Sequence, residues 1–193
     1  MTDPIALFSE WYAEARAKAT DPEPTAMTLA TVSKDGKPSA RVVLLKAHDA
    51  RGFVFYTNMQ SRKSQELQAN PYAALCFNWI VVGKQVRVEG KVARVSEKEA
   101  DDYFASRPLT SRIGAIASDQ SRPLDAQATL ERKVAALTKT YSDNNPPPRP
   151  AHWSGWRIVP QMMEFWQQGR FRLHERKVYE KRGDGWEVSR LYP

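Results

Sequence analysis

The first stretch of the chain places apolar residues at helical spacing. Ile5, Leu7, Phe8, Trp11, Tyr12 and Ala15 fall on one side of a helix over residues 4–19, within an N-terminal segment 1–20. Asp3-Pro4 supplies a cap and a first-turn proline, and Asp21-Pro22-Glu23-Pro24 stops the helix. The period then changes from 3.6 to two. AMTLATVS and PSARVVLLKA read as strands joined through Lys34-Asp35-Gly36-Lys37, and the Asp-Gly pair between two β-rich runs marks a hairpin. A turn over residues 48–52 leads to a third strand, FVFYT, so the pairing is antiparallel.

A short helix follows at residues 61–69 with Ser61 as its N-cap. Strands follow at 72–79 and 84–95. Ser96 and Glu99 form a capping box that opens a helix through Phe104. Helical patterns recur at 109–117 and 124–141. The tract NNPPPRP at 144–150 is a stiff, extended connector, because its prolines join neither a helix nor a ladder. Strands are expected at 156–167, 170–181 and 186–191, the last two joined by Gly183-Asp184-Gly185. The residues after the proline tract, 156–193, are too few for a core of their own. The expectation is one α+β domain over residues 1–193: an antiparallel β-barrel with flanking helices, completed by the C-terminal strands.

The segment EFWQQGRFRLHER, Glu164 to Arg176, carries the strongest chemical signal. Arg170, Arg172, His174 and Arg176 alternate at a spacing of two, so a strand projects all four from one face. Four potential cations on one face repel each other unless an anion sits among them.

Composition narrows the partners. The chain of 193 residues is 41% hydrophobic and 26% charged, the balance of a globular protein, and no apolar run is long enough to span a bilayer. The N-terminus has early acids and no apolar core, unlike a secretory signal. The single Cys76, within AALCFNW, is expected to be a buried small hydrophobe in a reducing cytoplasm. Three histidines and one cysteine at scattered positions give no metal-ligand spacing. The net charge of +7 points to an anionic partner. The basic residues come singly or in pairs without a basic run or tail, which suits compact phosphates and argues against a nucleic-acid platform.

No GxGxxG, GxxxxGK[ST] or GxSxG motif occurs, so a phosphate must be held by side chains. Three segments offer them. RVVLLK places Arg41 and Lys46 around apolar residues, but five apart on a regular strand they face opposite ways unless the strand bends or ends. SRKS places Arg62 and Lys63 at a helix N-terminus, where backbone N–H groups also favour an anion. YFASRPLTS places Tyr103, Arg107 and Ser111 at spacings of four.

Taken together, RVVLLK, FVFYTNMQSRKSQEL, QVRVEGKVARVS, YFASRP, SRIGAIASDQS, EFWQQGRFRLHER and the closing RLYP resemble the pyridoxine (pyridoxamine) 5′-phosphate oxidases, in that family's order and across the whole chain. The resemblance implies an FMN-binding split β-barrel and a cytoplasmic homodimer with FMN at the subunit interface. It assigns cofactor contacts to Arg41, Val42, Val43, Leu44, Leu45, Lys46, Tyr56, Thr57, Arg62, Lys63, Gln85, Gln120, Ser121, Trp166 and Arg176. Of these, Gln120, Ser121, Trp166 and Arg176 are expected to come from the second subunit. Lys46, Tyr103, Arg107 and Ser111 are implied to grip the substrate phosphate, with Arg172 and His174 over the pyridine ring as the catalytic pair.

The implied reaction takes a hydride from C4′ of pyridoxine or pyridoxamine 5′-phosphate to the flavin. It yields pyridoxal 5′-phosphate, and dioxygen reoxidises the flavin with release of hydrogen peroxide. Arg172 would stabilise developing negative charge, and His174 either moves a proton or orients the ring. The alternatives are a flavin oxidase of the phenazine-biosynthesis type, in which the Lys46, Tyr103 and Arg107 equivalents are typically missing, and a non-catalytic protein binding FMN or pyridoxal phosphate. Three departures from the family pattern stand out. The chain begins close to its first helix, without the arm that covers the substrate in longer members; Glu175 replaces a usual Asp; and Ile116 and Asp119 replace a usual Trp and Lys. Asp119 beside Gln120 is expected to weaken cofactor affinity.

Overall fold

The computed structural model describes residues 3–18 and 24–193. Helix α1 (Pro4–Lys18) begins as expected, with the Asp3 carboxylate accepting from the Ile5 N–H at 3.1 Å. The expected stop at Asp21-Pro22-Glu23 lies outside the described residues. The strands are β1 (Ala26–Val32), β2 (Pro38–Leu44), β3 (Ala47–Asp49), β4 (Gly52–Asn58), β5 (Tyr72–Trp79), β6 (Lys84–Arg94), β7 (Trp153–Gln167), β8 (Glu175–Arg182) and β9 (Gly185–Leu191). Between them lie α2 (Arg62–Ala69), α3 (Glu97–Ser106), α4 (Leu109–Ala117) and α5 (Gln127–Thr140). The capping box of α3 is formed on both sides.

All pairings are antiparallel, in the order β2-β1-β5-β6-β7-β4-β3, with β8 added to β7 and β9 to β8. The chain is an α+β split β-barrel, and β7 does the splitting. Its first half pairs with β4 (Trp153 to Ile158) and its second with β8 (Met162 to Gln167), while β6 runs beside both halves. The switch falls at Val159-Pro160, where the β6–β7 register slips between Glu89 and Gly90. A Cβ on Gly90 would sit 2.0 Å from the Val159 carbonyl oxygen, and one on Gly52 would sit 2.0 Å from that of Ile158. Both flanks of the kink therefore require a residue without a side chain.

Helix α1 closes the core. The fully buried Phe8 meets Phe53 and Phe77 edge-on, with ring centroids 4.8 and 5.0 Å apart. Among the described residues, no helix is long and apolar enough to cross a membrane.

Several local expectations are corrected. The strand expected from residue 170 begins only at Glu175. Residues 170–172 form a tight turn in which Phe171 and Arg172 take positive φ values of 55° and 65°. Backbone bonds from Leu173 N–H to the Arg170 carbonyl and from His174 N–H to the Arg172 carbonyl, both 3.0 Å, hold it. The four-cation face therefore does not form. The second strand ends at Leu44, after which the Lys46 N–H donates to the Val54 carbonyl at 2.8 Å. Cys76 is half-buried on the face of β5 opposite the core residues Leu75 and Phe77, so it is not a core side chain. Helix α5 starts at Gln127, three residues later than its pattern indicates. Ser61 occupies the N-cap of α2, but its hydroxyl makes no capping bond.

A candidate cofactor and phosphate site

The end of β2 resolves the placement of Arg41 and Lys46. Arg41, still on the strand, turns to the Leu29 carbonyl (3.3 Å), Thr31, Ser39 and the Glu66 carboxylate (3.2 Å). Lys46, beyond the strand, lines a cavity of about 400 Å³ together with Tyr56, Thr57, Tyr103, Arg107, Ser111, Gln120 and Trp153. The four residues assigned to a substrate phosphate, Lys46, Tyr103, Arg107 and Ser111, therefore share one cavity.

The cavity wall is aromatic. Tyr56 stacks on Tyr103 (centroids 4.1 Å apart, planes 16°) and on Trp153 (5.3 Å, 6°), and the Tyr56 hydroxyl donates to the Glu99 carbonyl at 3.2 Å. The Arg107 guanidinium lies 4.9 Å over the Trp153 ring. Its Nη1 is buried without a hydrogen-bond partner, as is Nε of Arg112. Burial, and then the nearby Arg112 charge, pull the Arg107 pKa below the usual arginine value, against an opposing effect of Tyr103. A half-buried cation held on an aromatic face with an unpartnered nitrogen has a hydrogen-bond donor free for an anion.

A second cation stands beside the cavity. Lys63 donates to Gln120 Oε1 (2.8 Å) and Thr57 Oγ1 (3.1 Å), both neutral, and Thr57 also donates to Gln120 at 2.9 Å. Burial, reinforced by the Arg41 charge, lowers the Lys63 pKa. Arg62 at the same helix start pairs with Glu66 at 2.9 Å. Asp119 turns to Lys133 of α5 at 2.8 Å, so its charge is matched there rather than set against Gln120.

A different group gathers at the far end of β7. Gln85, Trp166 and Arg176 lie in one row across β6, β7 and β8. The His174 ring is 4.5 Å from that of Trp166, and His174 Nδ1 accepts from the Gly169 N–H at 3.2 Å. Arg176 donates to the buried Glu164 at 2.7 Å, and Glu164 also accepts from Arg87 at 2.8 Å. Arg172 is exposed in the turn. Among the described residues no hydrogen bond, ion pair or ring contact joins this group to the cavity. Within one subunit, Gln120 sits with Thr57 and Lys63, and Gln85 lies beside Trp166 and Arg176. Ser121 follows Gln120 in an exposed loop at φ 69°.

Within the first motif, Leu45 is buried and Val43 packs on the core. Val42 and Leu44 are exposed on the outer face. Buried as it is, Leu45 offers a ligand little beyond its backbone. Trp153, Glu66 and Glu164 were not singled out from the sequence. Trp153 lies ahead of the strand expected from residue 156, and a lone glutamate carries no sequence signal for an anion site. Among the described residues no three or more His, Cys, Asp or Glu side chains gather as a metal site.

The fold and site define a split-barrel protein with a cavity lined by cations and stacked aromatic rings. Residues 13–141 match the family model described as pyridoxamine 5′-phosphate oxidase. Residues 153–193 match the pyridoxine 5′-phosphate oxidase C-terminal dimerisation region. A curated pyridoxine/pyridoxamine 5′-phosphate oxidase of Gluconobacter oxydans is 54% identical over 191 residues, covering 99% of this chain and 94% of the relative. The protein of that name from Burkholderia multivorans is 55% identical over 194 residues, covering 99% and 89%. Among solved structures, PhzG from Burkholderia lata, in complex with tetrahydrophenazine-1-carboxylic acid, aligns with a TM-score of 0.93 at 34% identity, covering 100% and 94%. The chain belongs to the pyridoxamine 5′-phosphate oxidase family.

Proposed function

We propose that the protein is an FMN-dependent oxidase acting on pyridoxine 5′-phosphate and pyridoxamine 5′-phosphate, as a homodimer. The observation that carries this reading is the pair of anion-seeking positions at one cavity. Arg107 has a buried, unpartnered nitrogen over Trp153, and Lys63 is held among neutral oxygens. Two phosphates have to be bound, one on the cofactor and one on the substrate, and two cradles stand ready.

The residues present fit FMN. Arg41, Arg62, Lys63, Thr57 and Gln120 would hold its phosphate end, and Gln85, Trp166 and Arg176 would meet its ring from a second copy. When bound, FMN would supply a hydride acceptor whose electrons pass on to dioxygen, giving hydrogen peroxide. Lys46, Tyr103, Arg107 and Ser111 fix the substrate phosphate, which turns placement of C4′ into a positioning problem solved from the far end of the molecule. Arg172 offers a guanidinium to charge developing on the substrate.

The division of the site supports a dimer. The Gln85–Trp166–Arg176 group lies within the stretch matching the family's dimerisation region or next to it in the sheet, apart from its own cavity. The exposed Val42, Leu44 and Leu191 supply apolar surface for a second copy to cover.

The likeness to PhzG favours a second reading, a flavin oxidase of a tricyclic substrate without phosphate. The phosphate grip of Lys46, Tyr103 and Arg107 argues against it. The deciding test is purification, a flavin absorption spectrum, and peroxide release with each phosphorylated vitamer. A yellow dimer that turns over neither vitamer would overturn the proposed substrate. A protein that cannot be loaded with FMN would overturn the reading altogether.

A further inference from the structure

Among the described residues, Glu66 is the one carboxylate in contact with the arginines of the cradle assigned to the cofactor phosphate. It lies in the second turn of α2 and is only 5% exposed. One of its oxygens accepts from the Arg62 Nε at 2.9 Å. The other accepts from Ser39 at 2.7 Å, from Thr31, and from Arg41 Nη2 at 3.2 Å. Burial raises its pKa, but the bonds from Thr31, Ser39 and Arg62 and the Arg41 charge outweigh this and hold it at about 2. The group is therefore an anion at any working pH. A buried carboxylate between two guanidiniums costs desolvation, which its bonds offset only while both arginines stay in place. Arg41 is fixed on its other edge by the Leu29 carbonyl and Thr31, so its orientation is over-determined.

We infer that Glu66 is a positioning residue of the phosphate cradle, which aims Arg41 and Arg62 and sets the charge that the cradle presents. Arg41, Arg62 and Lys63 bring three positive charges and Glu66 removes one. The balance of two matches a phosphate monoester, which carries close to two negative charges at neutral pH. Without Glu66 the two arginines lose their common anchor and repel each other and Lys63, so they bind the phosphate less well although the local field is more positive. The inference rests on the proposed assignment of this cradle to the FMN phosphate.

The test titrates the full-length, flavin-stripped protein with FMN and with riboflavin, which differs only in lacking the phosphate, and follows flavin fluorescence. The unaltered protein should prefer FMN strongly. If it does not, the assignment of the cradle fails, independently of Glu66. Glu66→Ala should weaken FMN binding on the order of ten- to a hundredfold, the worth of one or two charge-assisted bonds, and leave riboflavin binding as it was. Glu66→Gln keeps an acceptor oxygen but not the charge, so it should recover part of the preference. Unchanged or tighter FMN binding in Glu66→Ala overturns the inference, and so does a parallel loss for both flavins, the mark of a purely structural role. Should Glu66→Ala fail to fold, Glu66→Gln decides: a reduced FMN preference supports the inference and a full one overturns it.

Discussion

Replacing Arg107 with alanine tests the substrate half of the site where the structure is most explicit. The guanidinium rests on Trp153, its Nη1 has no hydrogen-bond partner, and burial already disfavours its charge. In the unliganded protein the residue therefore contributes little: a cation–π contact of about 0.5–1 kcal/mol, set against the desolvation of a partly buried charge. Stability should change by no more than about 1 kcal/mol on substitution. With substrate the balance reverses, because a charge-assisted bond to phosphate contributes roughly 1.5–3 kcal/mol. KM should then rise on the order of ten- to a hundredfold, with FMN content normal. Arg107→Lys keeps the charge without the planar fork and should fall between. The assay is peroxide release against pyridoxine 5′-phosphate concentration, paired with thermal melts with and without inorganic phosphate. Phosphate should raise the melting temperature of the unaltered protein more than that of Arg107→Ala. An unchanged KM, or loss of FMN instead of substrate affinity, would refute the assignment.

Three further outcomes follow from particular contacts. Arg172→Ala should retain FMN but slow single-turnover flavin reduction, with a loss of about 3–4 kcal/mol if the guanidinium stabilises developing charge; reduction at the normal rate would remove it from the mechanism. In Gly155→Ala the new Cβ would lie 2.8 Å from the Tyr56 ring, so Tyr56 and its stack with Tyr103 and Trp153 must shift. Denaturant unfolding should show a loss of about 1–3 kcal/mol, with a raised KM. Burial, only partly opposed by Asp49, holds the His48 pKa below the ordinary 6.5. The stability owed to its neutral ring is complete above pH 6.5 and is lost as pH falls through the lower folded value. Urea midpoints measured down to pH 5 should fall less steeply in His48→Phe.

The regular elements were legible because local signals agreed with tertiary pairing. The Asp35-Gly36 hairpin, the Ser96–Glu99 capping box and helix 109–117 all stand where their patterns put them. The failures share a cause. Arg170, Arg172, His174 and Arg176 alternate perfectly, yet a period of two says nothing about the sign of φ. The turn at Phe171 and Arg172 is left-handed at two residues with full side chains. Likewise RVVLLK reads as one strand, and only the bond from Lys46 to Val54 shows that it ends early. The grouping of the site residues was beyond reach as well. Gln120, in the loop after α4, meets Lys63 only through tertiary packing, which short-range pattern does not encode.

The two glutamates missed from the sequence show how the site keeps its cations in place. A cradle for phosphate has to hold like charges close together before the anion arrives, and their repulsion would swing long side chains outward. Here the arginines flanking each half are tied to one buried carboxylate, Arg41 and Arg62 to Glu66, and Arg87 and Arg176 to Glu164. Among the described residues, Lys63 and Arg107 have no carboxylate partner, and they rely on neutral oxygens and an aromatic face. The paired arginines are oriented in advance, and on the proposed assignment the unpaired cations are left to meet the ligand. Anion binding should therefore stabilise the fold most where charge is left uncompensated, since a ligand that binds only the native state adds its own binding free energy to stability. On the proposed assignment the carboxylates would set geometry and the unpaired cations would supply affinity.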